Sequence, residues 1–343
     1  MSLKEKITQY WVKPAEQVPF ALKALSKLFA FISSQRKKHY QNSPEKVYRA
    51  AVPIVVVGNI FVGGTGKTPL VIALVELLRD NGIKAGVISR GYGAKKLEQA
   101  TAVFADSDPA NVGDEPVLIA MRAACPVVVH PKRSQAIEKL LAENNVDVII
   151  SDDGLQHYAM ARDVEIVVID GQRQLGNELL LPAGPLREPT SRLESVDYCV
   201  VNGGVAANGA FSMELVTSGA YDLHNFSLKK DLRFWSGKQV NAIAGIGNPS
   251  RFFDALKMYD INTVECSFPD HYQYKLDDLC FSGDFPILMT EKDAVKCRRF
   301  PQGNLGGGTW VVPIVANLEH SFKIKFVDQV TQMLNNRVVE PAK

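Results

Sequence analysis

The sequence predicts an α/β protein: a P-loop NTPase-like, mainly parallel sheet covered by helices, with a second, smaller α/β domain and an N-terminal amphipathic helix. Three observations carry this expectation. The β-branched run Ile54–Val57 leads through a glycine-rich turn into Gly66-Lys67-Thr68 and an apolar-periodic segment, the strand–loop–helix order of a phosphate-binding loop. From Ala51 to Asp170 short apolar runs alternate with helical patterns, as in parallel sheets buried on both faces. A shorter series of the same kind begins at Gln239.

Bulk composition sets the bounds. With 343 residues and 46% hydrophobic content, the chain has room for two or three domains and the composition of a globular core rather than a disordered one. A formal charge of +2 gives no global attraction to nucleic acid, and none is expected as a partner. The five cysteines are scattered, with no close pairing, which fits reduced thiols better than disulfides or a zinc site. No stretch approaches the roughly 20 apolar residues needed to cross a bilayer, and the N-terminus lacks the pattern of a secretory signal.

In chain order, residues 17–38 form the first informative element. Val18, Leu22, Leu25, Phe29 and Ile32 repeat at steps of four and three, widened by Phe20, Ala24, Leu28 and Phe31, and Arg36-Lys37-Lys38 close the segment. Such a helix lies in a membrane interface or packs on its own domain. The strand at 54–57 and the helix at 69–79 flank the phosphate loop, and Asn81-Gly82 stops the helix. Strands follow at 84–89, 126–130, 146–151, 164–170 and 198–201, with helices at 112–124 and 134–144. Segments 211–216 and 220–226 read as a hairpin. The second series comprises strands at 239–245, 263–268, 286–290 and 310–315 and a helix at 249–259. A last amphipathic stretch, 321–335, caps either domain. The expected division is a membrane-interface segment over 1–50, a phosphate-loop domain over 51–205, a hairpin linker over 206–232 and the smaller domain over 233–343.

Ligands in such sheets bind outside the carboxyl ends of the strands, and the polar motifs cluster there. Gly63, Gly64, Thr65 and Gly66 offer backbone N–H groups to an anion, Lys67 a charge for the β/γ-phosphates, and Thr68 a hydroxyl for Mg²⁺. The usual pattern wants glycine five residues before Gly66, and Phe61 stands there. Asp152 and Asp153 follow the strand VDVII as a metal-side acidic pair or as a helix cap. His157 orients these groups, reaches substrate or is structural. Asp114, in Gly-Asp-Glu-Pro, is a general base for an attacking hydroxyl or an acid comfortable at a helix N-terminus. His271, in Asp-His-Tyr, could pair with Asp114 if the domains close. Arg90 clamps a phosphate or forms a surface ion pair. Arg187 and Glu188 touch substrate or pair with each other. Glu291-Lys292-Asp293 is a helix start capped by Thr290 or supplies a nucleotide-side lysine.

Together VGNIFVGGTGKTP (57–69), SRGYG (89–93), GDEP (113–116), DDGLQH (152–157), LLLPAGPLREP (179–189), FPDHY (268–272) and TEKDAVK (290–296) resemble the tetraacyldisaccharide 4'-kinase family, the lipid A 4'-kinases of Gram-negative bacteria. The motifs fall in the family's order over residues 57–296. The resemblance implies ATP-dependent phosphorylation, with Mg²⁺, of the 4'-hydroxyl of a membrane-embedded acylated disaccharide 1-phosphate, giving lipid IVA. It implies a peripheral position on the cytoplasmic face of the bacterial inner membrane, against its lipid surface, and two α/β domains joined by a two-stranded linker. Lys67 and Thr68 then serve ATP and Mg²⁺, Asp114 is the base with His271 its partner, and Asp152 and Asp153 lie on the metal side. Arg90, Glu115, His157, Arg187 and Glu188 are further site contacts.

Overall fold

Alternating strands and helices form two sheets, in nearly the order that the apolar runs predict. The computed structural model describes residues 3–204, 206, 209–217, 219–279, 281, 283–301 and 308–339. Its strands are β1 (Ile54–Gly58), β2 (Ala85–Ser89), β3 (Thr101–Val103), β4 (Val127–Val129), β5 (Val148–Asp152), β6 (Val164–Asp170), β7 (Tyr198–Asn202) and β8 (Phe211–Val216). They continue with β9 (Ala220–Asp222), β10 (Lys229–Lys230), β11 (Gln239–Ala244), β12 (Asn262–Ser267), β13 (Ile287–Thr290), β14 (Thr309–Val312) and β15 (Val315–Leu318). The α-helices are α1 (Leu3–Thr8), α2 (Phe20–Gln41), α3 (Lys67–Asp80), α4 (Pro109–Val112), α5 (Asp114–Ala123), α6 (Arg133–Glu143), α7 (Pro249–Lys257), α8 (Glu291–Cys297) and α9 (His320–Val339).

The larger sheet runs β15-β8-β7-β6-β1-β5-β2-β4-β3. It is parallel from β8 to β4, with β3 and β15 antiparallel at its edges. β1 is buried throughout, because helices cover both faces of the sheet. Leu70, Leu74 and Leu78 of α3, Val117 and Ile119 of α5, and Phe322, Phe326 and Val330 of α9 cover one face. Ala136, Ile137 and Leu140 of α6 cover the other, with Leu155 and Met160. The C-terminal helix therefore caps the larger sheet.

The smaller sheet runs β10-β9-β14-β13-β11-β12. β12, β11, β13 and β14 are parallel, and β9 and β10 antiparallel. α7 covers one face through Phe252, Phe253 and Leu256, and α8 the other through Ala294 and Cys297. Val295 of α8 is buried in the core of the larger body instead, which docks the two sheets against each other through α5 and α8.

Four expectations need correction. Segments 211–216 and 220–226 do not form a hairpin: β8 pairs with β7 in the larger sheet, while β9 pairs with β14 and β10 in the smaller one. The short connection between them is a crossing from one sheet to the other. The expected strand at 310–315 is divided at Pro313, which lacks the N–H a ladder needs. β14 ends in the smaller sheet and β15 begins antiparallel to β8. The two strands that connect the sheets are thus β8 and β15, and the linker and smaller domain do not follow the 206–232 and 233–343 boundaries. At the N-terminus, Pro19 holds Val18 outside α2, which runs on to Gln41. Val18 is buried, while Leu25 and Ile32 are exposed, so the expected stripe is split between an inner and an outer face.

Candidate active site

The phosphate loop is shaped by side chains as well as glycines. Asn59 donates through Nδ2 to the carbonyl of Gly63 and to Thr65 Oγ1, each at 3.1 Å. Asn202, at the end of β7, donates to the Thr65 carbonyl at 2.9 Å. Gly66 has φ 99°, and a Cβ there would lie 2.5 Å from Asn202 Nδ2, so glycine is required both for conformation and for space. Lys67 opens α3 directly after it. Phe61 is explained by a strap outside the loop. Its neighbours exchange backbone bonds with the proline-rich segment, Val62 N to Pro185 O at 2.9 Å and Arg187 N to Ile60 O at 2.7 Å. Phe61 itself packs with Leu186, so a buried aromatic anchor stands where the common pattern has a free glycine.

Beside the loop, β5 delivers the two aspartates to different environments. Asp152 is buried; Ser89 Oγ donates to its Oδ2 at 3.4 Å, and its Oδ1 has no hydrogen-bond partner among the described residues. Burial, then the charges of Glu115 and Asp153, push its carboxyl up to about 7. Asp153 has left-handed backbone, φ 49°, a conformation found at functional sites. It lies 3.6 Å from Lys67 Nζ and 3.2 Å from Arg187. Burial opposes its charge, but Lys67 and Arg187 outweigh it and hold the carboxyl below the usual range.

Across the crevice, Asp114 and His271 meet. Gly113 has φ 94°, and a Cβ there would lie 2.8 Å from the Tyr92 carbonyl; that approach sets Asp114 at the first position of α5. His271 comes from the loop after β12 with φ 60°. Its Nδ1 lies 3.0 and 3.1 Å from the two Asp114 oxygens; facing an ionised carboxylate it must be the donor. Burial opposes the Asp114 charge, but the His271 hydrogen bond and the cations Lys292, His271 and Lys296 outweigh it and hold the pKa below the carboxylate norm. The same hydrogen bond raises His271 against the effect of burial. The pair's contribution to stability is therefore complete between the ordinary carboxylate and ordinary histidine values, fading as pH falls toward the lowered Asp114 value and as pH rises through the raised His271 value. Lys292 bridges Glu115 and Asp270, each at 3.1 Å.

The crevice is narrow enough to join these halves. A Cβ on Gly247, after β11, would lie 3.3 Å from Gly64 N and 3.5 Å from Asp270 Oδ2. The smaller body thus sets one glycine between the phosphate loop and the residue next to His271.

The remaining candidates separate. Arg187 pairs with Asp153, not with Glu188, which is buried and accepts from Gln156 Nε2 at 2.6 Å, Tyr158 OH at 2.9 Å and Arg192 Nε at 3.2 Å. Glu188 is thus saturated by protein donors. Arg90 is exposed and makes no ion pair among the described residues. His157 makes no side-chain hydrogen bond to either aspartate among the described residues; burial, then Arg133, Arg162, Arg36 and Arg90, push it down to about 4, so it is neutral at pH 7. Thr290 does cap α8, accepting from Asp293 N. Sequence reading missed Asn59, Asn202, Gly247 and Lys296. A polar residue ending an apolar strand, as Asp152 does, was the available signal for Asn202.

The family model described as tetraacyldisaccharide-1-P 4'-kinase matches residues 18–332. The chain belongs to the tetraacyldisaccharide-1-P 4'-kinase family. The tetraacyldisaccharide 4'-kinase of Alcanivorax borkumensis is 45% identical over 96% of this chain and 98% of its own. That of Methylobacillus flagellatus is 46% identical over 92% and 93%. The crystal structure of LpxK from Aquifex aeolicus in complex with ATP superposes with a TM-score of 0.74 at 26% identity, over 91% of this chain and 98% of that one. The match to the kinase family spans both sheets and α2, so the crevice described above lies wholly within it.

Proposed function

We propose that this kinase transfers the γ-phosphoryl group of ATP to the 4'-hydroxyl of a tetraacylated glucosamine disaccharide 1-phosphate, giving lipid IVA. One observation carries the residue-level reading: the Asp114–His271 pair, drawn from both bodies, faces the same crevice as the phosphate loop. The 4'-hydroxyl gives its proton to Asp114 as its oxygen bonds to the γ-phosphorus. The bond from that phosphorus to the bridging oxygen breaks, and ADP leaves with the electron pair. His271 holds the carboxylate in place, and Lys67 offsets charge on the phosphates. Little covalent work is asked of the protein; positioning supplies most of the rate.

The residues also fit a divalent cation. Asp152 presents a buried oxygen with no partner among the described residues, and Thr68 stands at the start of α3, as Mg²⁺ sites on phosphate loops require. A Mg²⁺ held by Asp152 and Thr68 would offset the negative charge that develops during phosphoryl transfer. Arg90, Glu115 and Arg187 line the approach to the crevice as substrate contacts. Glu188 acts at one remove, fixing the strap that carries Arg187.

Helix α2 suits a substrate that lives in a bilayer. Phe20 is 84% exposed, Phe31 61% and Ile32 59%, with Leu25 and Leu28 beside them. No helix among the described residues is long and apolar enough to cross a membrane. This outward stripe lies in the interface, on the cytoplasmic face of the inner membrane, while Ser26 Oγ ties the inner side to the Leu180 carbonyl at 2.8 Å.

The test is transfer of labelled γ-phosphate to the disaccharide lipid. Asp114→Ala is expected to lower turnover by at least about 100-fold with ATP affinity retained. Undiminished lipid phosphorylation removes Asp114 from the mechanism, and release of free phosphate independent of lipid overturns the kinase reading.

A further inference from the structure

Lys296 is among the most buried cations in the molecule, and the mechanism above does not use it. Its residue is 2% exposed. Nζ lies 3.1 Å from Asp293 Oδ1 and 4.0 Å from Asp114 Oδ2, and 5.1 Å from the centre of the Tyr274 ring. Among the described residues it makes no hydrogen bond of good geometry. Burying an ammonium is costly unless its charge is put to use.

Asp293 does not need that charge to be satisfied. Its Oδ2 accepts from Gly245 N at 3.0 Å and Thr290 Oγ1 at 2.6 Å, and its Oδ1 from Tyr274 OH at 2.9 Å. With three donors already on it, Asp293 works as a bracket that keeps the ammonium in position. The side of Lys296 away from that bracket faces Asp114.

We propose that Lys296 is a positioning residue, a fixed counter-charge through which the smaller body keeps the Asp114 carboxylate ionised in the docked crevice. The inference rests on the reading of Asp114 as the base. His271 is exposed enough to exchange protons with solvent, its side chain being 23% accessible. Lys292 divides its charge between Glu115 and Asp270. Lys296 alone combines burial, a saturated bracket and proximity to the Asp114 oxygen. The titratable groups around this carboxylate are Glu115 on α5, Asp270 and His271 after β12, Tyr274, and Lys292, Asp293, Lys296 and Cys297 on α8, with Arg90 and Tyr92 on the loop that meets His271 and Asp152 beyond Glu115. His271, Lys292 and Lys296 all come from the smaller body, so docking itself arms the base.

The experiment compares Lys296→Met and Lys296→Arg in the full chain. It measures kcat/KM for the disaccharide lipid against pH at saturating ATP, and titrates the Asp114 carboxyl by carbon NMR without substrates. The same substrates titrate in every variant, so differences belong to the protein. Removing a cation at this distance raises a carboxylate by roughly one pH unit. In Lys296→Met the acid limb of kcat/KM and the NMR titration are therefore expected to move up together, with the loss of rate fading at alkaline pH. Lys296→Arg keeps the charge and leaves both midpoints in place. An unmoved midpoint in Lys296→Met, an equal shift in both variants, or a pH-independent loss overturns the proposal. So does failure of Lys296→Met and Lys296→Gln to fold while Lys296→Arg folds, which makes the lysine a stability element. Failure of the base reading is separate: it shows as lipid phosphorylation retained in Asp114→Ala, whatever Lys296 does.

Discussion

Asp152 is under electrostatic tension that a bound cation would relieve. Its carboxyl is pushed up to about 7, well above the unfolded value near 3.9. A raised carboxyl binds more protons folded than unfolded, so its contribution to stability is intact below the unfolded value and declines as pH rises toward 7. In metal-free protein, Asp152→Asn is therefore expected to raise thermal stability at pH 8 by roughly 1–3 kcal/mol, with a smaller gain at pH 5. Turnover is expected to fall in the same variant, because the proposed metal ligand is gone. Melting curves at the two pH values without nucleotide check this, and an equal change at both argues against a charged, strained carboxyl. Residues like Asp152 were legible because they sit in contiguous motifs that join strand ends to short polar runs. Asn202 and Lys296 were not, because each acts through contacts with segments far away in sequence, and Asn59 was not because its bonds to Gly63 and Thr65 form only once the loop has folded back on it. The roles of Arg187 and Glu188 were ambiguous for a related reason. Adjacent residues on an extended strap point to opposite sides, and only packing shows that one reaches Asp153 and the other the Gln156, Tyr158 and Arg192 cluster.

At the scale of the element, α2 shows what periodicity can and cannot determine. The helical period was plain in the sequence, yet the apolar arc is wide enough to supply both an inner and an outer face. Phe29 is half-buried on the inner face, whereas Leu28 and Phe31 are exposed. The discriminating variant is thus Leu28→Asp with Phe31→Asp. Each apolar side chain inserted in the lipid boundary contributes on the order of 1–2 kcal/mol, so vesicle flotation is expected to weaken at least about tenfold. ATP affinity and melting temperature are expected to change little, since both side chains are more than half exposed. Unchanged flotation removes α2 from membrane attachment. Strand existence was similarly readable from buried β-branched runs, but strand membership was not. The run at 309–318 is apolar on both sides of Pro313, and only tertiary pairing assigns its halves to different sheets.

For the whole molecule, the alternation of apolar runs made two α/β units visible, whereas their connection depended on β8 meeting β15, a pairing with about 100 residues between its partners that no local pattern encodes. The α5–α8 contact is one of the links that hold the units together, and its polar centre is the Arg122–Glu291 ion pair. Glu291 is buried, also accepts from Ile314 N at 3.1 Å, and its carboxyl is raised by burial despite Arg122. Removing one partner of a buried pair leaves the other uncompensated, at a cost of about 3–5 kcal/mol. Arg122→Ala is expected to approach that loss at pH 8, where Glu291 must stay ionised or take up a proton. The deficit shrinks as pH falls and protonation of Glu291 becomes easier. Arg122→Met with Glu291→Met removes both charges and is expected to be less destabilised than the single variants together. The catalytic consequence follows from geometry: Asp114 begins α5, and His271, Lys292 and Lys296 travel with α8's body. Arg122→Ala should then lower kcat for lipid phosphorylation more than it weakens ATP binding to the loop on α3. A deficit in stability that is flat from pH 5 to 8, with kcat unchanged, would show that this ion pair neither bears the docking nor links it to the base.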